Sequence, residues 1–526
     1  MAGKNTNLPA PSKIRCDYLF LSFVAALISL CSLLFFYHHN ALMLYGDAVA
    51  HMNIARRVFD SRTPGFLELG TVWLPLPHII DMPFVVKDWL WQTGLGAAIP
   101  SMIAYVAGTL GIFRLVRALA SRTAAWIATL IYMLNPNLIY MQATAMTESL
   151  YLALFIWAVI YFSEFVQQVN TDPQRARRLL ERCALMLAAS MLVRYDGWFL
   201  AVAVILTALF VIWKQQPKDA AVWRGFISLV LLCGATAGLW LAYNHGAFYD
   251  AMAFATGPYS ARAIAKRMVG MPTYPGQNDP RTATLYVLKA IRLNMGEGAS
   301  EYILFTVATV ALLALLYFAR RYSPWLLLWV PLPFYILSVA WQGAPIYFPQ
   351  WWPYSYYNVR YGLELLPAIA VFVALGYQLL QNLVPRHISA ALAIVLVIVS
   401  YISVWNHAPI CLREAQVNGR ARSALTERLA MELSHLPPNS TLMMSAGWFP
   451  GALQQAGIHF VRVLRESNHP EWDIALSHPA VAADYIIAFE GDDVYRAVRL
   501  FPKGLQLVAI IETPTQPKAF IYHSVR

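Results

Sequence analysis

The chain has 526 residues, of which 59% are hydrophobic and only 13% are charged. A soluble globular domain has about 45–50% apolar and about 25% charged residues, so this composition excludes an ordinary soluble enzyme, a disordered chain and a disulfide scaffold. The net charge of +11 is explained by basic cytoplasmic loops of a membrane protein, and no nucleic-acid partner is expected. The sequence therefore predicts a polytopic membrane protein.

Eleven apolar stretches are candidates to cross the membrane, whose hydrocarbon core of about 30 Å takes about 20 residues of helix. The fifth is short and is predicted as a broken helix that stops at Arg194, and the first is predicted as an uncleaved anchor. The stretches are residues 18–37, 95–113, 124–140, 149–166, 183–193, 198–213, 225–243, 302–318, 324–341, 362–381 and 388–405. They predict an all-α membrane domain over residues 1–405.

Basic residues predict the orientation of these spans. Lys and Arg collect before the first span and after the second, fourth, sixth, eighth and tenth, and the other short loops are nearly free of them. This positive-inside pattern predicts a multi-pass protein of the plasma (inner) membrane with a cytoplasmic N-terminus. Loops 38–94 and 244–301 and the tail 406–526 then lie outside. Short β-rich runs alternate with helical stretches in the tail, which predicts a small extracytoplasmic α/β domain.

The most informative motif directly follows the first span. Residues 45–57 read Tyr-Gly-Asp-Ala-Val-Ala-His-Met-Asn-Ile-Ala-Arg-Arg. Asp47 and His51 are four residues apart and share one face of a predicted helix. Asp47 could simply cap that helix, but in its context we favour a catalytic carboxylate. His51 is either its partner or a polar residue at the membrane interface.

Two further candidates lie in the same outer loop, and a third opens the fourth span. His78 ends a Pro- and Trp-rich stretch that either seats the loop in the membrane or meets a polar headgroup, and Lys87 is a weaker phosphate candidate. Glu148 could be a first-turn acid favoured by the helix dipole. A carboxylate at the membrane edge is costly unless it is paired or functional, which makes Glu148 a candidate site residue.

The remaining candidates are basic or aromatic. Arg194 either pairs with Asp196 or positions the substrate. Arg360 and Tyr361 enter the tenth span from outside, where a guanidinium either holds a phosphate or snorkels to the headgroups. Arg262 and Lys266 form a basic cluster in the loop 244–301 and are candidate phosphate ligands or a solvated surface.

Several function classes lack their motifs. The sequence has no phosphate-binding P-loop, no Gly-x-Gly-x-x-Gly fingerprint and no His-Glu-x-x-His. A transporter would place its unusual residues near the bilayer midplane, whereas here they lie at the outer ends of spans. This favours a surface site over a transport path.

Together these features resemble the GT-C superfamily of polyprenyl-phosphate-dependent glycosyltransferases, and are most similar to protein O-mannosyltransferases and the transferases that add aminoarabinose to lipid A. The matching motifs run from Gly46 and Asp47 to Arg56, from Trp73 to His78, and from Arg360 to Pro367. The resemblance implies a large first outer loop with an acidic motif, in which Asp47 is the catalytic base. Ala48 stands where the family commonly has Glu, so Glu148 or His51 is the candidate second catalytic residue.

The resemblance also implies the ligands. The donor is a sugar on a polyprenyl phosphate, and the acceptor is a hydroxyl of a protein, lipid or glycan at the outer face of the membrane. No cofactor is firmly implied. Some relatives use a divalent metal, for which Asp47, His51 and Glu148 would be the candidate ligands. The alternatives are a flippase or transporter of a lipid-linked sugar, and a non-catalytic envelope assembly protein whose tail binds a partner.

Overall fold

The structure is a computed structural model that describes residues 11–258, 260–261, 263–264, 273–318, 320–381 and 383–525. The helices before residue 260 are α1 Pro11–His38, α2 Gly46–Arg57, α3 Leu76–Val85, α4 Asp88–Thr93, α5 Leu95–Leu119, α6 Arg122–Met133, α7 Pro136–Met141, α8 Glu148–Gln168, α9 Pro173–Met191, α10 Asp196–Gln215, α11 Ala220–Phe248 and α12 Ala253–Thr256. The later helices are α13 Pro280–Met295, α14 Ile303–Phe318, α15 Pro331–Trp341, α16 Leu366–Leu380, α17 Arg386–His407, α18 Ile410–Ser434, α19 Pro450–Gln455, α20 Glu471–Ser477, α21 Pro479–Ala482 and α22 Asp493–Leu500.

Nine helical stretches in the described part of the chain are long and apolar enough to cross a membrane, and they overlap nine of the eleven predicted spans. The predicted span 124–140 is two helices, because Asn135 caps α7 by accepting two backbone N–H groups and Pro136 takes its first position. The predicted span 183–193 is the end of α9, which begins in a basic stretch at Pro173 and ends at Met191. The protein is a multi-pass membrane protein, as predicted.

The tail holds a mixed five-stranded sheet, which confirms the predicted α/β architecture. Its strands are β1 Leu442–Met444, β2 Val463–Leu464, β3 Tyr485–Phe489, β4 Leu505–Ile511 and β5 Ala519–Ser524. The order is β2-β1-β3-β5-β4, in which β1 is parallel to β2 and β3, while β5 is antiparallel to β3 and β4. The β2 strand has only two residues because Phe460–Arg462 directly before it forms a 3₁₀ turn.

The loop between α1 and α5, hereafter the first long loop, is attached to the tail by a buried arginine. Arg56 donates to Asp60 Oδ2 and Asp88 Oδ1 at 2.7 Å each, and to two backbone carbonyls of the same loop at 2.8 Å. Its guanidinium lies 4.7 Å from the Trp91 ring centre and contacts His459 of the tail. We call the group of Arg56, Asp60, Asp88, Trp91 and His459 the Arg56 latch.

The helix α18 begins directly after the last span and lies along the residues that follow α1. The Tyr45 hydroxyl donates to the Cys411 carbonyl at 2.9 Å. About two helical turns further along α18, an added Cβ at Gly419 would lie 2.1 Å from the Leu44 carbonyl oxygen, so only glycine permits this approach. The tail thereby reaches the segment that carries Asp47.

Candidate active site

Five carboxylates and two guanidiniums meet where several helices begin. Each acid stands in a first turn or in the 3₁₀ segment Val359–Leu365 before α16, except Glu414, which comes from the second turn of α18. The members of this acidic cluster are Asp47, Glu148, Arg194, Asp196, Arg360, Glu364 and Glu414. Sequence-distant elements of both the membrane domain and the tail therefore build one site.

Arg360 lies at the centre of the acidic cluster. Its Nη2 donates to Asp47 Oδ2 at 2.7 Å. Its Nε donates to Glu148 Oε1 and its Nη1 to Glu414 Oε1, both at 3.1 Å. The guanidinium also lies 5.2 Å from the ring centre of Tyr45. Arg360 thus fixes the position of the Asp47 carboxylate with a charge-assisted hydrogen bond.

Arg194 holds the other end of the cluster. Its Nη1 donates to the same Glu148 Oε1 at 3.1 Å, and its Nε lies 3.2 Å from Asp196 Oδ2. The Tyr335 hydroxyl accepts from Arg194 Nη2 at 2.9 Å and donates to Asp196 at 2.8 Å. Tyr361 stacks on Tyr335 with ring centres 4.9 Å apart. Arg194 and Asp196 pair, as one of the two sequence interpretations has it.

Exposure separates the five acids. The Asp47 side chain is 38% exposed, whereas Glu148 and Glu364 are fully buried and Glu414 is 1% exposed. Asp196 is likewise buried. Asp47 is therefore the most exposed of the five acids, and the four buried acids contact one or both of the two arginines.

Glu414 also organises the backbone that carries Arg360. Its two carboxylate oxygens accept the backbone N–H groups of Asn358 at 2.9 Å and Val359 at 2.8 Å. Asn358 adopts a left-handed φ of 54°, which asparagine tolerates better than most residues. The tail helix thus sets the path of the chain into α16.

His51 and His78 form a buried pair beside the cluster. His51 Nδ1 and His78 Nε2 are 2.8 Å apart, with the proton position set by the tautomer, and Trp73 packs on His51 at 5.2 Å. Burial lowers the pKa of His51 to about 4 and holds the pKa of His78 well below its usual value. Both imidazoles are therefore neutral at neutral pH, and neither faces solvent.

The remaining predicted site residues have different outcomes. Lys87 is exposed and immediately precedes Asp88 of the Arg56 latch. Arg262 and Lys266 lie outside the described residues. Tyr361 joins the site, with its ring centre 5.4 Å from the Arg360 guanidinium carbon.

The candidate metal ligands make other contacts. Asp47 and Glu148 bind Arg360, and His51 binds His78. In the parts of the chain that the structure describes, no three Cys, His, Asp or Glu side chains are grouped as a metal site requires. The described residues therefore do not fit a divalent metal at this site.

Sequence reasoning missed the contributions of Glu414 and Tyr335. Glu414 falls in the tail, which the sequence presents as a separate domain, and Tyr335 looks like one more interfacial aromatic. The available signal was the charged Arg413-Glu414 pair in a helix that only two residues separate from the last spanning helix. From the sequence, Asp196 and Glu364 stand out only because they lie near Arg194 and Arg360 in the chain, and their place in the cluster is not predicted.

Comparisons with known proteins agree with the fold and with the resemblance. Residues 91–240 match the dolichyl-phosphate-mannose-protein mannosyltransferase family. No curated protein sequence matches the chain. The crystal structure of ArnT from Cupriavidus metallidurans bound to undecaprenyl phosphate superposes with a TM-score of 0.59 at 11% identity, covering 98% of each chain.

A second solved structure shows the same architecture. The Archaeoglobus fulgidus oligosaccharyltransferase in its apo form superposes with a TM-score of 0.51 at 12% identity, covering 96% of this chain and 74% of that one. The chain therefore has the GT-C fold, and the resemblance stated from the sequence is confirmed.

Proposed function

We propose that this protein is an integral membrane glycosyltransferase that moves a sugar from a polyprenyl-phosphate carrier to a hydroxyl acceptor. The family match, to dolichyl-phosphate-mannose-protein mannosyltransferases, supports this proposal. So do the fold relatives, since ArnT was solved with undecaprenyl phosphate and the archaeal oligosaccharyltransferase AglB with dolichol-phosphate and an inhibitory peptide, the latter at a TM-score of 0.50. The observation that carries it is Asp47, a partly exposed carboxylate held at 2.7 Å by Arg360.

Asp47 acts as the general base. The acceptor hydroxyl is a poor nucleophile, and a carboxylate that takes its proton as the new bond forms speeds the attack. The acceptor oxygen bonds to the anomeric carbon while the bond from that carbon to the phosphate oxygen breaks. The carrier leaves as polyprenyl phosphate, and attack from the opposite face inverts the anomeric centre.

The buried acids and arginines position the base. Arg360 orients Asp47, while Glu148 links Arg360 to Arg194 through one shared oxygen. Such fixed dipoles and charges need no reorganisation during the reaction, which is a main source of rate enhancement. Glu148 and His51 are buried and assist Asp47 without meeting the acceptor.

The membrane orientation belongs to the same proposal. Basic residues in alternate short loops support a cytoplasmic N-terminus, with the site, the first long loop and the tail outside a plasma (inner) membrane. The acceptor is a protein, lipid or glycan at that face.

Sugar transfer by the purified, detergent-solubilised protein tests the assignment. Radiolabelled polyprenyl-phosphate sugars are offered with a membrane extract as acceptor, comparing wild type, Asp47→Asn and a matched control, Asp473→Asn. Asp473 is an exposed tail aspartate, 64% accessible. We expect Asp47→Asn to lower transfer by at least about 10²-fold, as loss of a general base does, with its melting temperature retained.

Two outcomes would contradict the proposal. Equal transfer by wild type and Asp47→Asn would remove Asp47 as the base. Absence of transfer, together with movement of a fluorescent carrier across liposomes by the wild type, would favour a flippase.

A further inference from the structure

One face of α9 carries a line of exposed basic side chains that the proposed reaction does not use. Arg175, Arg178 and Arg182 are spaced three and four residues apart, so they lie on one side of the helix, and all three are exposed. Leu185 continues the same line about one turn further along and is 56% exposed. We call these four residues the α9 stripe. It changes along its length from basic to apolar.

The arginines of the α9 stripe have no acidic partner. Among the described residues, no carboxylate oxygen lies within ion-pairing distance of any of the three. By contrast, Arg177 on another face of α9 pairs with Glu181 at 2.7 Å. The Arg182 guanidinium lies over the ring of Tyr161, 6.0 Å from its centre. Like charges three and four residues apart on a helix repel each other, so an anion bound along the stripe would relieve this repulsion.

The α9 stripe begins at the depth of a membrane surface. Since α9 ends at Met191, shortly before Arg194, its first turns lie at the end of the bundle opposite the acidic cluster. There it packs closely on the spanning helix α11, because an added Cβ at Gly225 would lie 3.0 Å from Arg177 Cα. Trp223, two residues before this contact, is 43% exposed, and tryptophans at the ends of spans mark the membrane–water interface. The basic part of the stripe is therefore at headgroup depth, and its apolar end lies deeper, beside acyl chains.

We propose that the α9 stripe binds the headgroup and one acyl chain of an anionic phospholipid. Guanidinium groups suit phosphate oxygens, and basic residues beside spanning helices attract lipids of negative charge. Leu185 adds an apolar contact beyond the arginines, which favours a lipid over a free phosphate ion. In the proposed orientation this lipid belongs to the cytoplasmic leaflet. Its binding is separate from sugar transfer at the acidic cluster.

Native mass spectrometry of the full-length protein in detergent tests this site. Dioleoyl phosphatidylglycerol is the probe, and dioleoyl phosphatidylcholine, which has no net charge, is the reference lipid. The stripe variant combines Arg175→Gln, Arg178→Gln and Arg182→Gln, and the matched control combines Lys214→Gln, Lys218→Gln and Arg224→Gln. The control removes the same number of positive charges from exposed side chains at the same end of the bundle.

We expect the stripe variant to bind phosphatidylglycerol at least about tenfold more weakly than wild type, because each basic residue near a lipid phosphate adds to the affinity. The control should stay within about threefold, since its charges lie off the stripe and are screened by salt. Binding of phosphatidylcholine should be unchanged in both. The corresponding three Arg→Lys substitutions retain the charge and should recover much of the affinity.

Three outcomes would overturn the inference. Equal losses in the stripe variant and the control would mean diffuse attraction to the basic end of the bundle. Equal losses for both lipids would remove the role of charge. Full competition by glycerol phosphate at the concentration of the lipid would assign the arginines to a soluble phosphate. If the stripe variant does not fold, Arg178→Gln alone replaces it, with an expected loss of about threefold.

Discussion

The acidic cluster and the Arg56 latch are both built around a buried arginine, but they are completed differently. Arg56 donates to two carboxylates and two backbone carbonyls, and an aromatic ring covers its face. Arg360 donates to three carboxylates, one of which is exposed to the aqueous phase. Each group thus holds one exposed carboxylate, since Asp88 is 52% and Asp47 is 38% exposed. The difference lies in what surrounds it: Asp88 also lies 3.5 Å from His459 of the tail, whereas the Asp47 carboxylate pairs with an arginine that two buried acids hold in place. The latch therefore suits attachment of the tail, and the acidic cluster suits the positioning of one carboxylate.

Replacing Arg56 and Arg360 by lysine, one at a time, should separate the two groups. The effect on the kcat of sugar transfer is expected to be the largest for Arg360. One ammonium cannot reproduce the planar fork with which Arg360 reaches three carboxylates. We expect Arg360→Lys to lower the kcat of sugar transfer about 10²-fold, because a misplacement of about 1 Å at a reacting group costs that much. Kinetics of the purified, folded variant measure this effect.

Arg56→Lys is the matched variant in the latch. It should lower the melting temperature, since it loses charge-assisted hydrogen bonds worth about 1.5–3 kcal/mol each, while the kcat of the folded protein stays close to wild type. Similar losses of kcat in the two variants would show that the latch is part of the reaction site.

The sequence predicts much of this site because its acids and arginines are rare in an apolar chain. Asp47, Glu148, Arg194 and Arg360 all stand at the ends of spans, where a charged side chain requires a partner or a function. These four side chains meet because the chain segments that carry them lie together at one end of the helix bundle. The resemblance adds the role of Asp47, which spacing alone leaves open.

Other features depend on packing that the sequence does not encode locally. Glu414 reaches the acidic cluster only because α18 lies along Leu44, an approach that Gly419 permits. Nothing in the composition of the tail indicates this contact. Asn135 and Pro136 do signal locally that a new helix begins inside a predicted span. The signal is easily overlooked because the residues on both sides are apolar.

Acid should weaken the region of the acidic cluster through His51. The pKa of His51 is lowered by burial to about 4, against about 6.5 when unfolded. The unfolded chain therefore binds the proton more readily between these values, so the stability from neutral His51 is complete above about pH 6.5 and declines as pH falls toward about 4. The difference corresponds to about 3 kcal/mol at full protonation.

Melting temperatures measured from pH 4.5 to 7.5 check this dependence. His51→Asn cannot bind the proton and should show a shallower decline below pH 6.5 than wild type. His469→Asn is the control, because His469 is an exposed tail residue, 59% accessible. Identical slopes for wild type and His51→Asn would contradict a protonation-sensitive His51.

Asp81→Asn should have the smallest effect, although Asp81 lies in the same long loop as Asp47. Asp81 is 5% exposed and lines a cavity of about 10 Å³ with Ser101 and Thr147. Burial raises the pKa of this carboxyl well above its usual value, which favours the neutral form, and asparagine resembles that form in charge and shape. Transfer and melting temperature should therefore stay near wild type. A loss of transfer as large as that in Asp47→Asn would mean that an ionised Asp81 works in the reaction, and that exposure and pairing with Arg360 do not decide which aspartate is the base.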